Sequence, residues 1–333
     1  MSIALNFGFA GRFDLVARKV AMGEDGSPLL DGGNNVLTGE SRSLASFENL
    51  ILDSGLNRLG TNGATIDGAC VGTGTTTPAN SQTSLASLLR VTTTQQSRTE
   101  LSGSTTAPYY AECQMVYRFA AGTAAGNLSE VGLGWDANAG ANTMGGLWCR
   151  ALIKDSEGNP TTITVLADEV LDIVYTLQLH PPASDITGTF NLSGVAYQYT
   201  LRPAYAATRS GQSCWTAAGG LFGIKAYNSV SVSAFTGGIG AATTGPSGTA
   251  GYNIAIAKQT YINASNQCVF NITADLNTAN LAGGIRSMRF DLAGSCWQAE
   301  FSKVSDGSTI PKNNTNVLSF QFWVSWDRHS VTS

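Results

Sequence analysis

The sequence predicts a mainly β protein of two tandem antiparallel β-sandwich modules in series, with one short N-terminal helix. Its 333 residues are only 13% charged and 43% hydrophobic, and its 38 glycines and abundant Ser, Thr and Asn favour many short strands joined by turns. Several segments alternate apolar and polar residues, which is the period of a half-buried strand. Two distant stretches, TITVLADEVLDIVYTLQL from Thr162 and TIPKNNTNVLSFQFWVSW from Thr309, also share one pattern.

Predicted strands follow one another along the first half of the chain. Residues 13–20 (FDLVARKV) form the first, and residues 171–179 in VLDIVYTLQLH place every second side chain on one apolar face. Gly, Thr and Ser residues separate five further predicted strands between them: ACVGTG, RVTTTQQSRTEL, YYAECQMVYRFA, SEVGLGW and LWCRALIKD.

One helix is predicted, over residues 46–59 in SFENLILDSGLNRLG. Ser46 is its expected N-cap and Gly60 its expected C-terminal stop. Such a helix has a broad apolar face that needs a partner surface, so we expect residues 1–60 to contribute to docking or to subunit contacts. From that face we take four candidate interface residues: Phe47, Leu50, Ile51 and Leu56.

The second half of the chain repeats the pattern of the first. The segment GTFNLSGVAYQYTLR (188–202) resembles the opening strand, and SCWTAAGGLFGIKAY (213–227) stands where the helix would be. From Cys149 and Cys296 onward the two halves align without a gap. The sequence therefore predicts a tandem duplication.

The duplication predicts the domain organisation. A repeat of about 150 residues fits two domains in series rather than a solenoid. We expect an N-terminal strand, loop and helix over 1–60, a first sandwich module over 61–183 and a second over 184–333, divided near residues 181–186.

Charge and hydropathy argue against several classes of protein. The formal net charge is −4 and Lys and Arg do not cluster, so nucleic acid is not an expected partner. No apolar window of about 18 residues predicts a membrane span, and MSIALNFGFAGRFD lacks the features of a signal peptide. Folding in a cytoplasm is expected, with the six cysteines as small buried apolar residues, although an even number leaves disulfides open.

Few residues could carry catalysis or bind a metal. The only two histidines, His180 and His329, stand near the ends of the two matched strands, and we interpret them as strand-end residues near the surface. Two histidines cannot build the common zinc sites, and no G-x-S-x-G elbow accompanies them. The motif GTGTTTPAN lacks the Lys of a phosphate-binding loop and is interpreted as a turn. No catalytic residue, metal site or cofactor is predicted.

The carboxylates do not form an evident sugar-cleaving pair. Asp168 and Glu169 are adjacent, so on a strand they would face opposite ways. Asp155 and Glu157 lie in KDSEGNP, a predicted hairpin turn, and Asp306 lies in the turn SDGST. An enzyme stays a minority alternative, with Asp168 or Glu169 as the residues to test.

Trp323 is the remaining candidate interface residue. It shares its strand face with Ser319, Gln321 and Ser325, on the predicted polar side. A single Trp on a polar sheet face can anchor a subunit or partner interface. Packing beneath a loop of its own domain is the alternative, and both stay open.

Several motifs, taken in order, resemble one group of proteins. FENLILDSGLNRLG, CVGTGTTTPANSQTSL, YRFAAGTAAGNLSEVGLGW and CRALIKDSEGNPTTITVLADEVLDIVYTLQLHPP resemble virion structural proteins of tailed bacteriophages, of the tail and tail-fibre type. In those proteins an N-L-I-x-D-x-G-L helix and a V-G-T-G-x-T-x-P turn precede a β-sandwich. The resemblance covers about residues 5–182 and is looser beyond. It implies a structural or attachment role and brings no catalytic residues.

The resemblance leads to an expected function. We expect a non-enzymatic virion component, a tail or neck appendage such as a short tail fibre or fibre-docking protein, assembled in the host bacterial cytoplasm. Its expected partners are further copies of itself, with a trimer as the first expectation, other virion proteins of the tail, neck or head, and a host surface glycan. Deleting residues 1–60 would then abolish incorporation into particles. A capsid decoration or head fibre protein is one alternative, and a carbohydrate-binding or depolymerising receptor-binding protein is the other.

Overall fold

The protein is mainly β with one short helix, as the sequence predicts. The computed structural model describes residues 2–32, 36–61, 66–104, 108–204, 208–209, 212–213, 231–292 and 295–329. The helix α1 spans Asp53–Thr61. The strands are, in chain order, β1 (Ser2–Val20), β2 (Thr38–Glu48), β3 (Leu50–Ile51), β4 (Gly68–Gly72), β5 (Leu88–Thr92), β6 (Gln95–Ser104), β7 (Tyr110–Phe119), β8 (Gly126–Leu128), β9 (Glu130–Trp135), β10 (Gly146–Leu152), β11 (Ile163–Val165), β12 (Glu169–His180), β13 (Ile186–Leu192), β14 (Val195–Pro203), β15 (Thr208–Arg209), β16 (Gln212–Ser213), β17 (Ser231–Phe235), β18 (Ala250–Gly251), β19 (Ala255–Lys258), β20 (Gln267–Ala274), β21 (Ser287–Leu292), β22 (Ser295–Lys303) and β23 (Leu318–Arg328).

Three large sheets contain most of these strands. The sheet that we call the shared sheet has the order β19-β20-β23-β1-β12-β7-β6, and β2 also pairs with β1. The first-half sheet has the order β3-β10-β9-β4-β5, and the second-half sheet has the order β13-β14-β22-β21-β17-β18. Two small ribbons, β11-β8 and β15-β16, complete the described strands.

The long strand β1 joins the two halves of the chain. Its residues 8–19 pair antiparallel with β12 on one edge. On the other edge, residues 2–9 pair in parallel with β23, and residues 12–20 pair antiparallel with β2. The first strand of the segment 1–60 therefore lies in the middle of a sheet that both halves build, and the docking role expected for this segment stays a prediction.

Both smaller sheets pack against one face of the shared sheet. Phe9 of β1 meets Trp148 of the first-half sheet edge to face, with ring centroids 5.5 Å apart. Phe322 of β23 stacks on Phe290 of the second-half sheet at 4.6 Å. Phe322 is paired in register with Ile3, which points to the same side of β1 as Phe9 because side chains alternate along a strand. One continuous core of buried apolar residues fills the space between the sheets.

The predicted helix is correct in existence but wrong at both ends. It begins at Asp53 rather than Ser46 and ends at Thr61, with Gly60 buried inside it rather than stopping it. The preceding residues 38–48 form β2, because their backbone pairs with β1 in the shared sheet. Pairing with a neighbouring strand has overridden the local helical pattern.

Three of the candidate interface residues are interior. Phe47, Ile51 and Leu56 are buried in the main core, and Leu50 is half-buried against a small cluster beneath the first-half sheet. The apolar face of this segment finds its partner surface within the chain. The expectation that these residues need an external partner is therefore wrong for Phe47, Ile51 and Leu56.

Strands of the two halves pair in a common order. β10 pairs with β9 and β9 with β4, while β22 pairs with β21 and β21 with β17. In the shared sheet β12 pairs with β7 and β23 with β20. The tandem duplication and its domain boundaries stay a prediction that this common order supports.

Part of the predicted repeat takes a different form. Residues 188–202 lie in a hairpin of β13 and β14 within the second-half sheet, whereas the opening strand lies in the shared sheet. The hairpin turns at Ser193 and Gly194, whose φ angles of 50° and 81° suit a tight two-residue turn. Residues 214–227 lie outside the described part of the chain. Among the described residues, no helix is both long and apolar enough to cross a membrane.

Candidate functional site

A cleft of about 600 Å³ opens where the two halves of the chain meet at one end of the shared sheet. Its walls come from the start of β1, the ends of β12 and β23, the turn before β20 and the prolines that follow β12. We call it the seam cleft. Both histidines of the protein line it.

His180 and His329 form a stacked pair. Their ring centroids lie 3.8 Å apart and their planes differ by 8°. The sequence correctly places both at strand ends, but the expectation of two surface residues is wrong for His180, which is only 7% exposed. Nothing in the sequence indicates that residues so distant in the chain would touch.

The strand register around β1 brings the two rings together. His180 is paired with Gly8, and Arg328 is paired with the next residue, Phe9. The backbone N–H of His329 then donates to the Phe9 carbonyl oxygen at 2.8 Å. A Cβ at Gly8 would lie 2.8 Å from the His329 Cβ, closer than such atoms approach. Glycine at position 8 is therefore what lets His329 lie across β1 and reach His180.

The hydrogen bonds of β12 fix the proton of His180. The Gln178 side-chain nitrogen donates to Glu112 Oε2 at 2.7 Å, so the Gln178 side-chain oxygen faces His180 Nε2 at 3.0 Å. That oxygen can only accept, which assigns the imidazole proton to Nε2 and leaves a lone pair on Nδ1. Burial and the neighbouring His329 lower the pKa of His180 to about 4, and burial also lowers the pKa of His329. Both rings are thus neutral at pH 7.

The stacked geometry does not suit a metal ion. Imidazole lone pairs lie in the ring plane, so two parallel rings 3.8 Å apart cannot both direct a nitrogen at one ion about 2.1 Å away. Within the described ranges, no three His, Cys, Asp or Glu residues form a group that could hold a metal.

Trp323 lies on the outward face of the shared sheet. It is paired with Val269 of β20 on one side and with Ala4 of β1 on the other. The outward positions of residues 4–6, 267–273 and 319–325 carry no charged side chain. We call this surface the uncharged face. The Trp323 side chain is half-buried, and its indole nitrogen is shielded from water without a hydrogen-bond partner.

The other end of the same outward face is charged. Asp172 of β12 is 2% exposed and is clamped between two arginines. It accepts a hydrogen bond from Arg18 Nε at 2.8 Å and a bidentate pair from Arg118 at 2.6 and 2.7 Å. The outward face therefore has a neutral part around β23 and an ion-paired part around β12.

The adjacent acids Asp168 and Glu169 have structural partners. Lys19 lies 3.5 Å from Asp168. Arg42 donates twice to Glu169, at 2.7 and 2.6 Å, and this interaction is the main cause that lowers the pKa of Glu169. Glu169 also accepts the backbone N–H of Leu166 at 2.8 Å, so it closes the turn that leads into β12.

The predicted turn acids form turns. Asp155 Oδ1 accepts the backbone N–H groups of Glu157 at 3.1 Å and Asn159 at 2.8 Å. Asp306 Oδ1 accepts the N–H of Ser308 at 2.9 Å, and its hydrogen bonds to Ser308 lower the pKa of Asp306. These carboxylates stabilise local backbone, as the sequence predicts for turn residues.

A second groove, of about 410 Å³, runs over the outward face and holds Glu48 and Glu112. These glutamates stand on β2 and β7, which are three strands apart in the order β2-β1-β12-β7. At about 4.8 Å per strand their backbones are roughly 14 Å apart. Glu112 accepts a hydrogen bond from the Gln178 side-chain nitrogen at 2.7 Å, so one of these two carboxylates has a structural partner.

The GTGTTTPAN loop is held by a carboxylate of the protein itself. Glu130 accepts backbone N–H groups from Gly74 at 2.9 Å, Ala86 at 3.0 Å and Ser87 at 2.7 Å. Donors of this kind would bind a phosphate in a nucleotide-binding loop. Here Glu130 occupies these donors, and residues 73–79 form an irregular segment rather than the turn that the sequence predicts.

A buried ion pair extends this network. Arg150 contacts Glu130 at 2.7 Å, and neither side chain has any solvent exposure. Arg150 also donates to Gln82 Oε1 at 2.6 Å and to the Thr76 carbonyl at 2.8 Å, so it fixes the far side of the same loop. Sequence reasoning missed both charges. The signal was available, because each is the single charge in an otherwise apolar strand, EVGLGW of β9 and GLWCRAL of β10.

The second half holds its corresponding loop in a related way. Gln298, which is fully buried, accepts the Gly240 N–H at 2.9 Å. Its side-chain nitrogen donates to the carbonyls of Ala241 at 3.0 Å and Thr244 at 3.1 Å. An uncharged amide thus supports the loop after β17, where an ion pair supports the loop after β4.

The cysteines are mostly inert. Cys70, Cys113, Cys149 and Cys268 are buried and free, as expected. Burial raises their pKa values, to about 12 for Cys113 and Cys149 and about 11 for Cys268, so few thiolates form at neutral pH. Cys296 is disulfide-bonded, an alternative that the even number of cysteines leaves open.

No known protein family, curated protein or solved structure matches this chain.

Proposed function

We propose that the protein is a non-enzymatic structural component of a tailed-bacteriophage virion, of the tail or neck appendage type. The observation that carries the proposal is the ordered set of motifs from FENLILDSGLNRLG to VLDIVYTLQLHPP. These motifs supply the junction of β3 and α1, the loop bound by Glu130, and strands β9, β10 and β12. All of these elements belong to the first half of the chain. A scaffold held in common with the proteins that these motifs resemble would require such a grouping.

Carboxylates used for structure are consistent with a non-enzymatic role. Glu169 is bound by Arg42, Asp172 by two arginines and Glu130 by Arg150. Each of these carboxylates is bound by at least one arginine, so each has a structural role in the fold. The scaffold would then act through its surfaces.

The uncharged face around Trp323 is the proposed docking surface. A neutral polar surface can be covered by a partner without the cost of desolvating charges. Three strands at about 4.8 Å and seven residues at about 3.4 Å give it an area of roughly 350 Å². A stable interface needs about 800 Å² per partner, so this face would supply one of several contacts whose strengths combine on the particle.

Substitution of Trp323 tests the docking surface. We expect Trp323→Ser to fold, because the side chain points away from the core, and to lose several-fold in incorporation into particles. Tyr252→Ser is the matched control, since Tyr252 is 63% exposed and stands between β18 and β19, outside the three strands that form this face. Quantitative mass spectrometry of purified particles measures the copy number of each variant per particle. Normal incorporation of Trp323→Ser would contradict the proposal that this face is a docking surface.

Localisation on intact particles tests the proposed class. Antibody-gold labelling at the tail or neck supports an appendage. Label spread over the head, at many tens of copies, would instead indicate a capsid decoration or head fibre protein. Particles without label would contradict a virion role.

One observation favours a carbohydrate-binding receptor as the second candidate. An indole ring bordered by amides and hydroxyls, as around Trp323, suits stacking and hydrogen bonding with a neutral sugar. Incubation with host surface polysaccharide separates the possibilities. Saturable binding that Trp323→Ser removes would support a receptor role, and steady release of reducing ends would require an enzyme.

A further inference from the structure

We propose that the stacked pair of His180 and His329 is an acid-sensitive latch, in which proton uptake by the pair releases the end of β23 from β1 and opens the seam cleft. The proposal stands independently of the proposed function. It rests on the position of the pair, on the groups that surround it and on the glycine that makes it possible.

The histidine pair lies at the last backbone hydrogen bond between β23 and β1, where the two halves of the chain meet. His329 is the residue directly after β23, and its N–H···O=C bond to Phe9 ends the pairing of β23 with β1. Its ring lies over Gly8 and stacks on His180, which belongs to β12 on the opposite edge of β1. The stack therefore ties three strands together at the rim of the cleft.

A charge on the pair would have poor compensation. Gln178, which faces His180 Nε2, is neutral, and Glu112 on β7 is already engaged by Gln178. The Tyr110 ring lies 5.6 Å from His180 and carries no charge at acidic pH. A proton on either ring thus meets a second imidazole at 3.8 Å rather than a carboxylate.

The charged groups of β23 are also committed. Arg328 binds the Ile51 carbonyl oxygen and pairs with Asp53. Asp327, 77% exposed, lies 3.9 Å from Arg328, at an exposed site where solvent screens it.

The direction of the pH effect follows from linkage. Burial lowers the pKa of both histidines below the ordinary value of 6.5, to about 4 for His180. The open state therefore binds protons first, and the closed latch is fully favoured above pH 6.5. Its stability falls as the pH drops from 6.5 toward 4, by about tenfold in the opening equilibrium per pH unit for one proton.

Because the protein has only two histidines, the protonation of each ring can be followed directly in the full chain. Selective labelling of the His rings gives two sets of NMR signals, and amide hydrogen exchange at His329 reports opening of the Phe9 hydrogen bond. We expect both rings to titrate below pH 6.5. Exchange at His329, corrected for its intrinsic pH dependence, should rise about tenfold between pH 6 and pH 5 relative to amides in the middle of β12.

Three variants separate the latch from other titrating groups. His329→Gln keeps a planar polar side chain without a proton to gain, so the pH dependence of the opening equilibrium should fall to the part that His180 supplies. Gly8→Ala should displace His329 and leave the cleft open at pH 7.5. Asp327→Asn is the control and should leave the acid response in place.

Two outcomes would overturn the proposal. One is unchanged His329 protection from pH 7.5 to 4.5 in the wild-type chain. The other is an unaltered acid response in His329→Gln while the His180 ring gains no proton in its NMR titration, which would assign the effect to carboxylates. His329 is exposed at the end of a strand, so its substitution leaves the core intact and both outcomes are measurable.

Discussion

Buried polar side chains organise the loops of this protein. Arg150 and Glu130 form an ion pair without solvent exposure, and together they bind five groups of the loop between β4 and β5. An ion pair of this kind adds little net stability over an apolar pair, but removal of one partner leaves a buried charge without compensation. The pair therefore holds the loop in one conformation, and neither residue can be replaced alone without a large loss of stability.

Loss of Arg150 should be strongly destabilising. We expect Arg150→Ala to lower the free energy of unfolding by about 3–5 kcal/mol, because Glu130 would remain buried and unpaired. Arg12→Ala is the control, since Arg12 is 57% exposed and pairs with Asp14 at 3.3 Å, and it should cost less than about 1 kcal/mol. Urea denaturation measures both, and equal losses would contradict the role of the buried pair.

The sequence could predict the type of such residues but not their partners. The turn acids Asp155 and Asp306 were correctly assigned because their partners lie within four residues. The partners of Arg150 and His180 come from distant segments, and only the strand register around them decides which atoms meet. A contact of that kind has no local pattern.

At the level of elements, α1 depends on a close approach to β10. A Cβ at Gly55 would lie 2.5 Å from the Trp148 carbonyl oxygen and 2.9 Å from its Cα. The glycine weakens the intrinsic preference for helix, yet only a residue without a side chain allows this packing. Tertiary contact, rather than propensity, therefore stabilises this short helix.

Substitution of Gly55 should reverse the usual helix rule. Alanine in a helix gains about 1 kcal/mol over glycine, but Gly55→Ala should lose about 1–3 kcal/mol because the helix must move away from β10. Gly39→Ala is the control, with no atom within 4 Å of the added Cβ, and should change stability by less than about 0.5 kcal/mol. Thermal unfolding of both variants is the measurement, and a stabilised Gly55→Ala would refute the packing argument.

The spacing of apolar residues correctly predicted the strands whose side chains alternate between buried and exposed. It gave the wrong secondary structure where pairing with a neighbouring strand determines the conformation. The alternation in residues 171–179 and 318–326 matches the buried faces of β12 and β23. Residues 46–51 have helical spacing of apolar side chains, but β1 and β10 supply backbone partners that make strands of them. The length of β1 was also underestimated, because Gly8 and Gly11 interrupt its apolar pattern.

For the whole molecule, the shared sheet predicts that the two halves unfold together. The parallel pairing of residues 2–9 with β23 joins strands of both halves in the shared sheet, and one continuous core packs against that sheet. Two modules that were merely in series would show separate transitions.

A core substitution in one half should weaken both. Leu201 of β14 is 1% exposed, and Leu201→Ala should lower the free energy of unfolding by about 2–5 kcal/mol. Hydrogen exchange at Leu133 in the first-half sheet should report the same loss. Ile262→Ala, at a side chain 75% exposed, is the control. A loss confined to the second half would instead indicate independent modules and support the sequence-based division near residues 181–186.

The β1–β23 pairing also determines when this chain can finish folding. Leu5 and Ser325, which share a hydrogen bond, are 320 residues apart in the chain. At about 5–20 residues per second, a ribosome needs roughly 15–60 s to make the strand that completes β1. During that time one edge of β1 stays open to pairing with other nascent chains. The rate of translation relative to aggregation, rather than the stability of the finished fold, would then limit the yield of native protein.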